Sequence, residues 1–331
     1  MESRRIDMKK TTVFTAVSLV MASLLVSCDG KDNSKDKKPE ESVSVTVNSV
    51  WDYSSFGLMD FMNNESDANM AGDKSGTHFN FIRSYGTNLV EDGIVSGEYD
   101  MAVLPLDQAL SAYKRSNSSV QIVDINSLCE LCVLTNDASI NNLEDIDGKD
   151  VLVPDFTDDL FFDLAYQKSV NVNIKKCELD QCISNLEASK DTVISVIPEP
   201  HASELLHEEK IKQICCASDE WEKENNGTFS IDTVTVARKS LVDEHPELVK
   251  DYLEKHKASV EKLKADPTAF VINVAARDII RYEDTVKNKL KDNRNVFISG
   301  AEMKEKITSY LDSVGYEDLD EINTDDLFYI P

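Results

Sequence analysis

Short apolar runs of period two alternate with amphipathic helical segments along almost all of this 331-residue chain, and the alternation begins afresh near Asp150. Val43–Val50 alternates apolar and polar residues and predicts a strand. A loop over Trp51–Ser55 follows, then a short helix over Phe56–Asn63 with Ser54 or Ser55 as its cap. Strands are expected over Thr77–Arg83 and Tyr99–Leu104, with a helix near Asn88–Ser96 between them. Pro105 suits the first position of a helix running to Arg115. Val120–Asn126 and Glu130–Thr135 complete this first set as strands. The second set predicts strands over Asp150–Val153, Val172–Lys175, Thr192–Ile197 and Ile211–Ala217. Helices over Asp158–Ser169, over Leu179–Ala188 and from Pro200 lie between them. After a charged connection, Glu222–Gly227, a strand over Ile231–Ala237 and a long amphipathic helix over Pro246–Ala265 are expected. Further helices run to Ser313, and the apolar end Leu327–Pro331 is expected to dock on the body. Strands alternating with helices imply an α/β class with mostly parallel sheets, and two such sets imply two lobes.

The first thirty residues set the compartment. Lys9 and Lys10 precede an apolar run, Val13–Val26, that is short for a transmembrane span of ~20 residues and reads as a signal peptide over 1–27. The run ends Leu25-Val26-Ser27-Cys28, which resembles the lipobox of bacterial lipoproteins. Cleavage there leaves Cys28 as an acylated N-terminus, and two lipid chains anchor stably where one does not. The other reading is an ordinary secretory signal with an incidental cysteine. Residues 28–42 are polar and charged and read as a flexible tether. The chain is therefore expected on the outer side of a cell membrane, held by lipid.

The charge excludes a class of partners. With 35 Lys+Arg against 61 Asp+Glu, the formal net charge is −26. Nucleic acid needs clustered cations and is not expected as a partner. Neither GxxxxGK[ST] nor GxGxxG occurs, which argues against a phosphate-cradling enzyme loop.

Several strings carry a family resemblance. Gly93–Pro105 (GIVSGEYDMAVLP), Leu143–Lys149 (LEDIDGK), Val196–Pro200 (VIPEP), His245–Pro267 and Asp325–Tyr329 resemble, in that order, the solute-binding lipoproteins of ABC importers. The likeness is to the nitrate, sulfonate, taurine and thiamine-precursor branch, and it runs over nearly all of 43–331. It implies the type II periplasmic-binding fold, in which two α/β lobes close by a hinge on a small molecule that is passed to a membrane permease. The lobes are expected as 43–127 with 229–331, and 128–228. A monomer with no cofactor and no catalytic residue is expected.

In such an architecture ligand groups sit at strand carboxyl ends and helix N-termini. The candidates are Trp51, Tyr53, Ser54, Ser55, Ser84, Tyr85, Thr87 and Asp107 in the first lobe, and Thr157 and Glu199 in the second. Each Ser or Thr reads equally as a plain helix cap, and Trp51 and Tyr53 read equally as ligand-stacking or packing rings. The sequence departs from its relatives here: Tyr53-Ser54-Ser55-Phe56 and Leu106-Asp107 stand where small Gly/Thr-rich and Thr-Asn segments are usual. Asp107, Asp155, Asp158 and Glu199 near one cleft would repel an anion, so a neutral or amine-bearing ligand, such as a heterocycle, is expected.

Cysteines and histidines add little chemistry. Cys129 and Cys132 form a single CxxC placed in a strand, which is poor for zinc. Cys177, Cys182, Cys215 and Cys216 read as buried thiols, some of which an exported chain can oxidise to disulfides. His201, Glu204 and Glu208 share a helical face by spacing, which reads as a solvated face before a metal site. An enzyme on the same fold, of the thiamine-pyrimidine synthase kind, would carry a CCCFC-type motif that this sequence lacks. The remaining alternative is a diverged surface lipoprotein used in adhesion or sensing.

Overall fold

The computed structural model describes residues 43–50, 53–72, 76–154, 158–268, 270, 293–316 and 322–331. The signal peptide, the tether, Cys28, Trp51, Asp155 and Thr157 lie outside them. Eleven described strands make two sheets. The first holds β1 (Val43–Val50), β2 (Thr77–Ser84), β3 (Met101–Pro105), β4 (Val120–Leu128), β10 (Ile231–Arg238) and β11 (Asn295–Ser299), in the order β11-β4-β10-β3-β1-β2. The second holds β5 (Leu131–Thr135), β6 (Asp150–Pro154), β7 (Asn173–Cys177), β8 (Ile194–Pro198) and β9 (Lys212–Cys216), in the order β7-β6-β8-β5-β9.

The α/β class with two helix-flanked sheets is as expected, but the sheets are mixed. β1 runs parallel to β2 and β3, and β6 parallel to β7 and β8, while β10 opposes β3 and β4 and β5 opposes β8 and β9. β5 and β10 are the strands on which the chain arrives from the other sheet, and β11 also opposes β4. A strand entering from the other sheet needs no right-handed crossover and so has no reason to run parallel.

Helices cover both faces of each sheet. On the first sheet α1 (Met59–Met70), α8 (Lys239–Glu244) and α9 (Pro246–Ala265) pack over one face. α2 (Thr87–Ser96), α3 (Leu106–Arg115), α10 (Gly300–Ser313) and α11 (Thr324–Leu327) pack over the other. The period-two reading of β1 shows why: Val45 and Val47 enter the α1/α9 core, whereas Val50 packs toward α2 and α3. Phe61, Phe79, Phe81 and Tyr252 meet edge-on or tilted, with ring centroids 5.0–5.8 Å apart, a favoured geometry for aromatic quadrupoles. In the second sheet, Leu131 and Val133 join the core under α4 (Asp158–Gln167) and α7 (Ala217–Glu224). Cys132 and Leu134 face α5 (Leu179–Ala188) and α6 (His201–Leu205) instead.

Four local expectations are corrected. The segment at 56–63 is a 3-10 turn, Tyr53–Leu58, running straight into α1, which reaches Met70. Ala217–Glu224 is a helix rather than strand end and connection, because Trp221 is fully buried and draws its charged neighbours into a half-buried turn. Asn295–Ser299 is a strand and not part of a helical run, since it fills the edge beside β4. Cys177 and Cys182 are joined as a disulfide between the end of β7 and the start of α5. The tail docks as expected: Phe328 bridges to Ile122 of β4, and Tyr329 N–H donates to its carbonyl at 2.9 Å. No described helix is long and apolar enough to cross a membrane.

Among the described residues, one ionisable pair lies wholly inside the core of the first sheet. His256 Nδ1 of α9 is 2.8 Å from Asp124 Oδ2 of β4, and neither side chain has any exposed surface. Asn126 Nδ2 donates to Thr235 Oγ1 at 2.7 Å, and Thr235 in turn contacts the Tyr252 hydroxyl at 3.2 Å. Removing one partner of such a pair leaves a buried group without compensation. His256→Leu is expected to cost about 3–5 kcal/mol in urea unfolding, and a cost under about 1 kcal/mol would show that the pair contributes little.

Candidate functional site

The site begins where β1 ends. Val50 runs into the 3-10 turn, which places Tyr53 with its ring against Phe56, centroids 5.1 Å apart. From there the Tyr53 hydroxyl donates to Glu130 Oε2 at 2.5 Å and accepts from the Arg294 backbone N–H at 3.4 Å. Glu130 is, with Cys129, one of the two residues that link β4 of the first sheet to β5 of the second. Because β5 and β8 are antiparallel with Leu131 opposite Pro198, Glu130 also sits beside the carboxyl end of β8, where the Glu199 N–H donates to its carbonyl at 3.0 Å. The carboxyl ends of β1 and β8, one from each sheet, are thereby brought to one place. Burial first, and then the Glu130 carboxylate, hold the Tyr53 phenol well above its ordinary pKa.

A second set of polar groups lines the ends of the parallel strands of the first sheet. Ser84 Oγ, at the end of β2, donates to Asn48 Oδ1 at 3.0 Å, and Gln108 Nε2 of α3 donates to Thr87 Oγ1 of α2 at 2.8 Å. Asn48 Nδ2, Ser49 Oγ and Gln108 Oε1 are buried, and none has a hydrogen-bond partner among the described residues. Buried polar atoms are nearly always satisfied, so unsatisfied ones at strand ends call for an occupant. Gln108 falls in the stretch after β3, Pro105–Gln108, where the sequence places binding groups, whereas Asn48 and Ser49 were not singled out. Only their position one and two residues before Val50 could have pointed to those two.

The sequence candidates divide. Tyr53 and Glu199 come together through Glu130. Ser84 and Thr87 lie in the polar row just described. Ser54 and Ser55 are buried in the 3-10 turn, and Ser55 Oγ donates back to the Val50 carbonyl at 2.8 Å, which is a local cap. Tyr85 is 88% exposed with the Arg83 guanidinium 5.5 Å from its ring centroid, and Asp107 is exposed in the first turn of α3. Glu199 is buried and already engaged: Ser203 N–H and Oγ donate to it at 3.1 and 2.9 Å, and Cys132 Sγ lies 3.8 Å from Oε1. Its carboxylate therefore caps the start of α6.

Two residues absent from the sequence reading complete the junction. Arg294 Nη1 donates to Asp219 Oδ1 at 3.0 Å, Nη2 pairs with Glu222, and Glu222 Oε1 also accepts from Ser230 N–H and Oγ. Burial works to lower the guanidinium pKa, but Glu222, Cys216 and Asp219 outweigh it and raise it. Arg294 is thus committed to its neighbours, while Glu130 and Glu199 leave the strand ends acidic. The expected His201, Glu204 and Glu208 face does not form, because α6 stops at Leu205. Cys129 lies between β4 and β5, so the CxxC is not within one strand. Among the described residues no group of three or more His, Cys, Asp or Glu side chains is placed to hold a metal.

No family model and no curated protein matches the chain. Solved structures do. An ABC transporter structure from Parabacteroides distasonis is 14% identical and superposes with a TM-score of 0.66 over 88% of this chain and 99% of that one. The periplasmic aliphatic sulphonate binding protein SsuA from Escherichia coli is 10% identical, with a TM-score of 0.65 over 88% and 93%. A ligand binding component of an ABC-type import system from Staphylococcus aureus, solved with zinc bound, is 14% identical with a TM-score of 0.64 over 87% and 97%. The chain has the periplasmic-binding-protein fold.

The Tyr53 environment has a spectroscopic consequence. The folded state holds this phenol proton more tightly than the unfolded chain does. The associated stability is present below the ordinary value of ~10 and is lost as pH rises through the higher folded value. In an alkaline absorbance titration, Tyr53→Phe is expected to leave the tyrosinate rise near pH ~10 unchanged. Loss of one tyrosine's amplitude there would mean that Tyr53 ionises normally and that the junction is open to water.

Proposed function

We propose that this chain is the extracytoplasmic solute-binding component of an ABC importer. Its lobes, 43–127 with 229–331 and 128–228, close on a small molecule at the strand ends and deliver it to a membrane permease. The observation that carries the reading is the convergence of the β1 and β8 carboxyl ends on Tyr53, Glu130 and Glu199, beside unsatisfied buried polar atoms of Asn48, Ser49 and Gln108. Strand carboxyl ends are where open α/β sheets take ligands. Proteins described as ABC import components, at low identity, support the same role. A signal peptide over 1–27 and an acylated Cys28, tethered through 28–42, would hold the monomeric body at the membrane.

The ligand is neutral or amine-bearing. Glu130 and Glu199 flank the site, and the nearby Arg294 is spent on Glu222 and Asp219, so a sulfonate would meet repulsion with no compensating cation. Asn48 Nδ2 and Gln108 Oε1 offer one donor and one acceptor, which suits a heterocycle with both functions. The reading is capture of a solute rather than chemistry upon it.

Native mass spectrometry of residues 43–331, purified without refolding, is expected to show a small-molecule adduct that denaturation removes. Gln108→Ala is expected to weaken its binding about tenfold, the equivalent of one hydrogen bond of about 1.4 kcal/mol. Tight binding of simple sulfonates and of no amine or heterocycle would overturn the ligand class. A bare protein that shows no thermal shift with either class, yet binds a cell-surface macromolecule, would establish the diverged surface lipoprotein instead.

A further inference from the structure

Four cysteines of the second lobe are outside any disulfide: Cys129, Cys132, Cys215 and Cys216. Two of them are paired by the sheet itself. Cys132 on the interior strand β5 stands directly opposite Cys216 on the antiparallel edge strand β9. Residues in direct register across antiparallel strands have Cα atoms ~4.5–5.5 Å apart and project to the same face. That spacing lies inside the ~4.4–6.8 Å window a disulfide requires. Cys215 is opposite Val133 and packs on the other face with the Trp221 core, so the adjacent pair Cys215-Cys216 points apart.

From these placements we propose that Cys132 and Cys216 form a reversible redox dithiol in the second lobe, next to Glu199. Cys216 is the attacking thiol and Cys132 the resolving one. Cys216 is partly exposed and occupies the cap position of α7, where the positive end of a helix favours a thiolate. The Cys132 S–H, then the Asp219 backbone N–H, hold the Cys216 thiol below its ordinary range against the opposing push of burial. The other two thiols are inert by comparison. Burial with the adjacent Cys216 pushes Cys215 up to about 12, and burial with Asp232 raises Cys129 well above the usual thiol range.

The chemistry balances with a disulfide oxidant such as oxidised glutathione. The Cys216 thiolate attacks one sulfur, forming a protein–glutathione mixed disulfide and expelling one glutathione thiolate. Cys132, fully buried beneath it, passes its proton to Glu199 Oε1, 3.8 Å away. The resulting thiolate attacks Cys216 Sγ and expels the second glutathione thiolate. Two electrons leave the cysteine pair and reduce the one glutathione disulfide. In the oxidised form Glu199 no longer accepts from the Cys132 thiol, while Ser203 of α6 still donates to it.

The test uses the full chain, with its cysteines reduced by a dithiol that is then removed, and oxidised glutathione as the probe. After acid quench and alkylation, non-reducing peptide mapping is expected to show a Cys132–Cys216 link that excess reduced glutathione reverses. Cys216 is expected to alkylate at least ~10-fold faster than Cys215 in the reduced chain. Cys132→Ser should trap Cys216 as its glutathione mixed disulfide, and Cys216→Ser should leave Cys132 unmodified. Recovery of both residues as free thiols after oxidation, or of Cys216 linked to Cys215 or to a second chain, would overturn the proposal. The wild-type map decides this even if a variant fails to fold, and it reads the dithiol separately from any solute binding.

Discussion

A guanidinium placed between two sheets is stable only if its counter-charges are placed there with it. Arg294 enters the first sheet at β11, yet its charge is met by Asp219 and Glu222 of α7, from the second. Glu222 also takes two hydrogen bonds from Ser230, the residue that starts the return to β10. The same backbone reaches Tyr53, whose hydroxyl binds Glu130 on the outgoing passage. Both passages between the sheets are therefore held by one polar system. Tyr53, Glu130, Glu222 and Arg294 are half-buried, where a charge pair costs less to desolvate than in a core and is less screened than on a surface. Apolar contact supports it from one side, where Trp221 meets Tyr310 of α10 edge-on at 5.6 Å.

How much of this was legible in the sequence depended on distance along the chain. Val43–Val50, Leu179–Ala188 and Pro246–Ala265 have the bounds their periodicity predicts, because each is set by a face that repeats within the segment. α7 was not legible. Its sequence ASDEWEKE has a single large apolar residue, and only burial of Trp221 in a core built from distant strands makes it a helix. β11 failed for a related reason, since five residues between helical patterns have too few alternations to declare a strand, and pairing with β4 supplies the rest. The sheets are mixed because pairing direction follows from which strands exchange the chain, something local pattern does not encode.

The candidate site divides along the same line. Tyr53 and Glu199 could be named from their place after predicted strands. Their shared neighbour Glu130 is 77 residues from Tyr53, and the Arg294 amide is 241 residues from it, with no motif marking either. Ser55 shows why residue type alone misleads. It stands where a ligand residue was expected, and its hydroxyl donates to the Val50 carbonyl just before its own turn.

The order of strands also governs when each sheet can exist. All five strands of the second sheet lie between Leu131 and Cys216, so it is complete in a nascent chain once that stretch has emerged. The first sheet cannot close until Ile231–Arg238 and Asn295–Ser299 are made, and its core receives Leu327 and Phe328 later still. Strand pairings this distant close slowly. The second sheet is thus a local unit set inside a first sheet whose two sides are made far apart in time.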